Sequence, residues 1–366
     1  NHAKFLYVQF AQMMKPQIKN IKDIMQQASW KEWPENLRHL TREQMKLRWN
    51  NRALKSSHTF FVWLQMRAAE QFKNAADYVA AQGIVLKGDL PILMNEDSAD
   101  TWANPEFFIH ELRAGSPPDE GNSLGQNWGF PIYNWDRLEA DNYSWWKERI
   151  ANASQFYKAF RIDHVLGFFR IWASSENDTS AYNGHVEPYK AITQKALLNA
   201  GFTETRIRWL SKPHIPTAVI QEAAGSYEDA VRILNTVAER IGSEELWLFK
   251  KEITGDKCFY EQTFFENSAD TEKDRRVKEA LSRKWRDRTL DEITKNHYVF
   301  TWSYGETTAW NSLNDVEKMM LMALKAAADS SQEKAWKKQG TTLLRALTVS
   351  SDMTACAEDL GAVPGV

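Results

Sequence analysis

The chain has 366 residues, with 46 Lys plus Arg against 48 Asp plus Glu and a formal net charge of −2 at pH 7. That near-balance supplies no global field to gather a polyanion, which argues against nucleic acid or an anionic membrane surface as a partner. No uncharged apolar stretch reaches the roughly 18 residues of a membrane span, and two cysteines, Cys258 and Cys356, are too few for a disulfide framework or a thiolate metal site, so a reducing cytoplasm is expected.

Residues 4–28 place Phe5, Val8, Ile18, Ile21, Ile24 and Met25 at helical spacing, interrupted at Pro16, which predicts two helical pieces. Residues 60–82 continue as helix and stop at Gly83, a residue suited to the left-handed position after a helix end. The run 83–92 sets apolar residues between glycines and stops at a proline, as a buried strand entering a loop does. Residues 95–135 hold Gly115, Pro117, Pro118, Gly121, Gly125, Gly129 and Pro131 with Trp102, Trp128 and Trp135. They follow neither period and read as a long functional loop. Helix returns over 141–158, with Asp141 as N-cap and Trp145, Trp146, Ile150 and Ala153 on one side. A short strand over 159–164 then ends in charge. Strand, loop, helix and strand in that order are the rhythm of a parallel sheet covered by helices.

From 172 to 350 helical patterns at 188–200, 227–241, 269–285, 315–328 and 332–347 are joined by polar loops with few clear strands. The basic stretch 271–288 interleaves acids and reads as a solvated helical face. A strand signal returns at 353–361. Residue 1 is Asn, and 361–366 is turn-like, so the expectation is a segment of a longer protein.

Three predicted strands end in acid: Asp89, Asp163, and the pair Glu358 and Asp359. In a parallel α/β barrel the active site lies at the C-terminal strand ends. Strand alternation puts Lys87 with Asp89, Arg161 with Asp163, and Cys356 with Glu358 on common faces. Arg161 beside Asp163 is expected to lower its pKa and keep it ionised, as a nucleophile requires. Glu358, in a more apolar run, is expected to have a raised pKa and to suit proton donation. Two carboxyls with separated pKa values are the equipment of a retaining glycoside enzyme. An acid at a strand end equally serves as a helix cap or half of a structural ion pair, and composition alone does not choose.

Sixteen Trp, 18 Phe and 11 Tyr also offer platforms for amphipathic ligands, sugars among them. Competing chemistries lack their parts. No Gly-x-Gly-x-x-Gly or Gly-x-x-x-x-Gly-Lys-Ser/Thr run is present, and the eight histidines have no metal-ligand spacing. Cys356, in an apolar strand, reads as a core residue rather than a nucleophile.

Six segments carry a resemblance: Gly-Asp-Leu-Pro-Ile at 88–92, Asp-Ser-Ala-Asp-Thr-Trp-Ala-Asn-Pro-Glu-Phe at 97–107, Ala-Gly-Ser-Pro-Pro-Asp at 114–119, Gly-Gln-Asn-Trp-Gly-Phe-Pro-Ile-Tyr-Asn-Trp at 125–135, Phe-Arg-Ile-Asp-His-Val-Leu-Gly-Phe at 160–168 and Ala-Glu-Asp-Leu-Gly at 357–361. In sequence and order they resemble the 4-α-glucanotransferases, the amylomaltase or disproportionating-enzyme family of the α-amylase clan. The long spacer between Asp163 and Glu358 looks like the long-insert subgroup.

The resemblance implies an α/β fold, a partial (β/α)8 TIM barrel with a large, mainly helical insertion between strands four and five. Residues 1–171 would form the N-terminal part of the catalytic barrel, 172–350 the insertion, and 351–366 the fifth strand and chain end. It further implies Asp163 as nucleophile and Glu358 as acid/base, with glucan-binding and supporting roles for Arg161, Asp89, Gln126, Trp128, Asp119 and His164. The substrate would be a malto-oligosaccharide or glycogen-type glucan, with neither metal nor organic cofactor.

The sequence departs from the family at Glu120 and Gly121, where relatives carry Tyr-Phe after Pro-Pro-Asp, and it ends before the family's downstream His-Asp-Asn motif. The isolated chain is therefore expected to be inactive. The reading is a 4-α-glucanotransferase acting by retaining double displacement; the alternatives are an α-glucan hydrolase and an inactive glucan-binding segment.

Overall fold

The computed structural model describes residues 15–265 and 271–358, which form a mixed α/β fold. These residues divide into two compact units, 15–110, 130–169 and 339–358 in one and 111–129 and 170–338 in the other. The parts of predicted elements that fall on 4–14, 269–270 and 359–361, Asp359 included, lie outside the described residues.

In the first unit three parallel strands, Lys87–Leu90, Ala159–Ile162 and Thr354–Ala357, pair with Ala159–Ile162 in the centre. The register sets Asp89 level with Arg161 and Arg161 level with Cys356. Gly88 is required on the first strand because a Cβ there would lie 2.5 Å from the Tyr157 ring. The helix Lys55–Ala81 begins earlier than its spacing predicts and ends as expected. Gly83 adopts φ +75° and donates its N–H to the Ala80 carbonyl at 3.0 Å.

The helix Ser144–Ala153 buries Trp145, Trp146, Ile150 and Ala153 together, as its spacing predicts. Its N-cap corrects the expectation: the cap is Tyr143, at φ +52°, while Asp141 terminates the preceding helix Trp135–Ala140. Tyr143 N–H bonds back to the Leu138 carbonyl at 2.7 Å, which makes the tight turn between the helices. Trp146 then meets Phe168 edge-on at 5.1 Å and Tyr133 at 5.7 Å, within a core that includes Phe160 and Ile150. Each such side chain contributes roughly 1.5–3 kcal/mol by leaving water. Cys356 is only half-buried between exposed neighbours, so it is not the core residue its apolar run suggested.

Residues 95–135 do not form the expected long loop, because Phe108–Ser116 and Gln126–Tyr133 are strands. A Cβ on Gly115 would lie 1.9 Å from the Gln126 carbonyl oxygen, so glycine here permits strand pairing rather than marking a turn. The sheet continues through Ile171–Ser175 to His185–Glu187, antiparallel across those last two steps.

The few strands expected after 172 are also corrected. His214–Pro216, Leu246–Phe249 and Ala238–Arg240 form one sheet, and Leu290–Thr294, His297–Phe300 and Ile192–Thr193 another. Strands this short show too little of a two-residue period to be read. Helix is confined to Gln194–Asn199 within 188–200, whereas 315–328 and 332–347 merge into one 34-residue helix, Asp315–Thr348. On the helix Thr271–Arg286, Arg275 pairs with Glu272 and Glu279, and Lys278 with Asp274. Among the described residues no helix is long and apolar enough to cross a membrane.

One buried acid in the second unit yields a stability prediction. Asp178 Oδ1 accepts from Trp285 Nε1 at 2.8 Å and from Asp256 N–H at 3.2 Å. Burial, then the charge of Asp256, pushes its carboxyl up to about 6. Between the ordinary value near 4 and that value the native state holds a proton the unfolded chain has lost, so the native state is favoured by acidification and penalised above pH 6. Asp178→Asn keeps the acceptor oxygen and removes the charge. Thermal denaturation at pH 7.5 should show stabilisation of about 2–3 kcal/mol, falling as the pH drops below 6 and vanishing by about pH 3. A lower Tm at pH 7.5 would mean that the native fold needs this charge, with Arg288 as its partner.

Candidate active site

Arg161, third in the central parallel strand, gathers three carboxylates. Its Nη1 donates to Asp89 Oδ2 at 2.8 Å, and its Nη2 reaches Asp163 Oδ1 at 2.7 Å and Glu358 Oε1 at 2.9 Å. The ladder explains the convergence. Asp163 N–H donates to the Leu90 carbonyl at 3.3 Å and Glu358 N–H to the Ile162 carbonyl at 3.0 Å, so pairing carries both acids just past the strand ends. Two-residue alternation from Arg161 and Cys356 then turns them to the face that Asp89 shares.

Asp163 and Glu358 also meet on the same guanidinium nitrogen, Arg161 Nη2. Two oxygens held by one nitrogen cannot lie farther apart than the sum of those two bonds. The pair is therefore closer than the about 6.5–9.5 Å that separates the carboxyls of inverting enzymes, as a retaining mechanism requires.

His164 follows Asp163 in the left-handed region, at φ +52° and ψ +54°. That backbone is uncommon for a residue with a Cβ and persists only where its surroundings over-determine it. The single turn Val165–Phe168 comes next, and Phe168 is fully buried against Trp146 and Trp135 while its carbonyl accepts from Gln339 Nε2 at 3.2 Å. With the turn anchored, His164 N–H donates to Glu358 Oε2 at 2.6 Å. Nothing in the spacing of the sequence signals this amide; a non-glycine residue in left-handed backbone is visible only in the fold.

That hydrogen bond reverses the expected electrostatics. Glu358 is held below the usual carboxylate range, first by the His164 N–H and then by Arg161, against the effect of its burial. Asp163 is raised, first by desolvation and next by the negative charge of Glu358, with Arg161 opposing. The expectation of a low Asp163 and a high Glu358 is thus corrected, because Arg161 serves both acids while Glu358 alone receives a backbone donor. His164 itself is lowered by burial, against the attraction of the two acids.

The remaining predicted residues belong to the other unit. Gln126 and Trp128 share a strand face, and Trp128 Nε1 donates to Gln126 Oε1 at 3.1 Å. Asp119 Oδ1 accepts the N–H groups of Gly121 and Asn122 at 2.9 and 2.7 Å and closes its own turn. Glu120 and Gly121 therefore lie in a turn built on that aspartate. Among the described residues no group of three or more His, Cys, Asp or Glu is placed to hold a metal ion.

A family model described as 4-alpha-glucanotransferase matches residues 6–366. The rice (Oryza sativa subsp. japonica) 4-alpha-glucanotransferase DPE2 is 32% identical over 312 residues, covering 83% of this chain and 32% of that protein. The Chlamydia pneumoniae 4-alpha-glucanotransferase is 46% identical over 113 residues, 31% of this chain and 22% of its own length. The potato (Solanum tuberosum) chloroplastic/amyloplastic enzyme is 35% identical over 181 residues, 47% and 31%. The chain thus spans about a third or less of these curated relatives. Among solved structures, amylomaltase from Streptococcus agalactiae in complex with acarbose matches with a TM-score of 0.47 and 27% identity, over 51% of this chain and 39% of that one.

Proposed function

The chain belongs to the 4-alpha-glucanotransferase family, and from that premise we propose that the protein carrying it moves glucosyl or maltosyl units between α-1,4-glucans by retaining double displacement. The observation that carries this reading is the pair Asp163 and Glu358 on one guanidinium nitrogen, at 2.7 and 2.9 Å. We read the three parallel strands as the third, fourth and fifth of a (β/α)8 barrel, with the long stretch between Asp163 and Glu358 as the insertion. Two free cysteines suit a cytoplasmic setting.

In this mechanism Asp163 attacks the anomeric carbon while Glu358 protonates the glycosidic oxygen. The 4-hydroxyl of an acceptor sugar, deprotonated by Glu358, then displaces Asp163 and restores the α configuration. Desolvation and the neighbouring charge of Glu358 raise Asp163, while the His164 N–H lowers Glu358. The attack nevertheless requires Asp163 ionised and Glu358 protonated, and Arg161 beside Asp163 stabilises that anion. Asp89, on the other arm of Arg161, fixes the guanidinium plane.

Incubation of the whole protein that carries this chain, rather than the 366 residues alone, with maltotriose tests the reading. Transfer yields longer oligomers together with glucose or maltose; hydrolysis yields only shorter products, and a glucan-binding segment yields neither. Absence of oligomers longer than maltotriose would overturn the proposal.

A further inference from the structure

The second unit contains a cavity of about 440 Å³ whose lining includes none of the residues around Arg161. Its size falls within the range of about 300–1,000 Å³ usual for small-ligand pockets. Its walls come from the segment 170–192, the strand His297–Phe300 with the turn that follows it, and the middle of the helix Asp315–Thr348.

Aromatic faces dominate one side. Trp302 is 51% exposed and stands edge-on to Trp172, itself only 7% exposed, with ring centroids 5.5 Å apart. A buried ring thus braces an exposed one, and the exposed one keeps a large apolar face in water. Tyr304 lines the same space and packs edge-on against Phe300 at 5.0 Å.

Polar groups held in place form the other side. Lys325 pairs with Asp329 at 2.7 Å, Gln332 Oε1 accepts Lys190 N–H at 3.0 Å, and the Arg170 guanidinium lies over Trp336 at 4.8 Å. Trp336 is fixed in turn by donating Nε1 to the Pro188 carbonyl at 2.7 Å.

These features select a ligand class. Cations and acids alternate along the wall, which disfavours a simple anion, and several charged or amide groups at the rim disfavour a purely apolar guest. A pyranose fits both halves: its axial C–H face covers an indole, and its hydroxyls both donate and accept around the ring edge. We propose that this cavity is a second glucan-binding site, which holds a short stretch of an α-1,4-glucan against Trp302 apart from the residues that cleave it. The choice of an α-glucan among pyranose ligands rests on the function proposed above. Such a site would retain a long substrate between successive transfers and raise its effective concentration at the carboxylates.

The test uses the 366-residue chain with maltoheptaose, read by backbone hydrogen exchange and by titration calorimetry. Maltoheptaose should slow exchange in 298–304 and 328–336. Trp302→Ala should abolish that protection and weaken binding about tenfold. Asp329→Ala, which alters the opposite wall, should weaken binding as well, while Asp163→Asn should leave protection of 298–304 intact. Trp302 is half exposed, so its removal should leave the thermal transition in place.

Protection confined to the segments around residues 89, 163 and 358 would overturn the second site. So would unchanged affinity in both Trp302→Ala and Asp329→Ala, or no binding of maltoheptaose at all. The two proposals fail separately. A protein that lengthens maltotriose without protection at 298–304 refutes the second site alone, and one that protects 298–304 without lengthening maltotriose refutes the transferase reading alone.

Discussion

Asp163→Asn should abolish both transfer from maltotriose and fluoride release from α-maltosyl fluoride, while Glu358→Gln should abolish transfer from maltotriose yet still release a first equivalent of fluoride. The difference follows from what each acid does. A nucleophile is needed for any donor, because no glycosyl-enzyme forms without it. An acid is needed only where the leaving group must be protonated; fluoride departs unaided, whereas a sugar hydroxylate does not. Asparagine preserves the shape of Asp163 and an oxygen toward Arg161, so glucan binding should change little while activity falls below a few per cent. The experiment has force because Asp163 is raised and Glu358 lowered, which taken alone would favour the opposite assignment. Persistent fluoride release in Asp163→Asn, with its loss in Glu358→Gln, would exchange the two roles.

The second large effect is expected at Arg161. Replacement by glutamine leaves Asp89, Asp163 and Glu358 facing one another without the cation that all three contact. Arg161 lowers both Asp163 and Glu358, so its removal raises both. The acid limb of the kcat/KM profile, set by the carboxylate that must be ionised, should therefore move to higher pH. The maximum should fall by about 10²–10³, the magnitude typical of losing one preorganised charge partner in an active site. Arg161→Lys keeps the charge but cannot span both sides as a fork, so it should restore the pH limb more than the rate. An unmoved acid limb in Arg161→Gln would show that the arginine orders the strand ends without setting their ionisation.

Much of the carboxylate cluster was legible from local pattern. Alternation along 159–163 and 354–358 depends only on extended backbone, and it places Arg161 with Asp163 and Cys356 with Glu358 whatever surrounds them. The same holds for the buried face of the helix Ser144–Ala153 and for Gly83 at the end of Lys55–Ala81, where helical periodicity and a tolerated positive φ are properties of a few consecutive residues. The strands within 95–135 escaped because their glycines, read as turn residues, serve close approach instead. A contact such as Gly115 against Gln126 is defined by a partner and not by a neighbour.

By itself the sequence determined which side chains share a face, which helix face is apolar, and which chemistry the strand-end acids could perform. Tertiary structure alone decided in which direction each acid is shifted. Glu358 and the His164 amide lie 194 residues apart, and their hydrogen bond exists only because Trp146, Trp135 and Gln339 anchor the turn after His164. The cavity beside Trp302 likewise draws its walls from segments scattered between 170 and 336. Periodicity is carried by the covalent chain, whereas desolvation, backbone donors and enclosed space depend on which distant segments pack together.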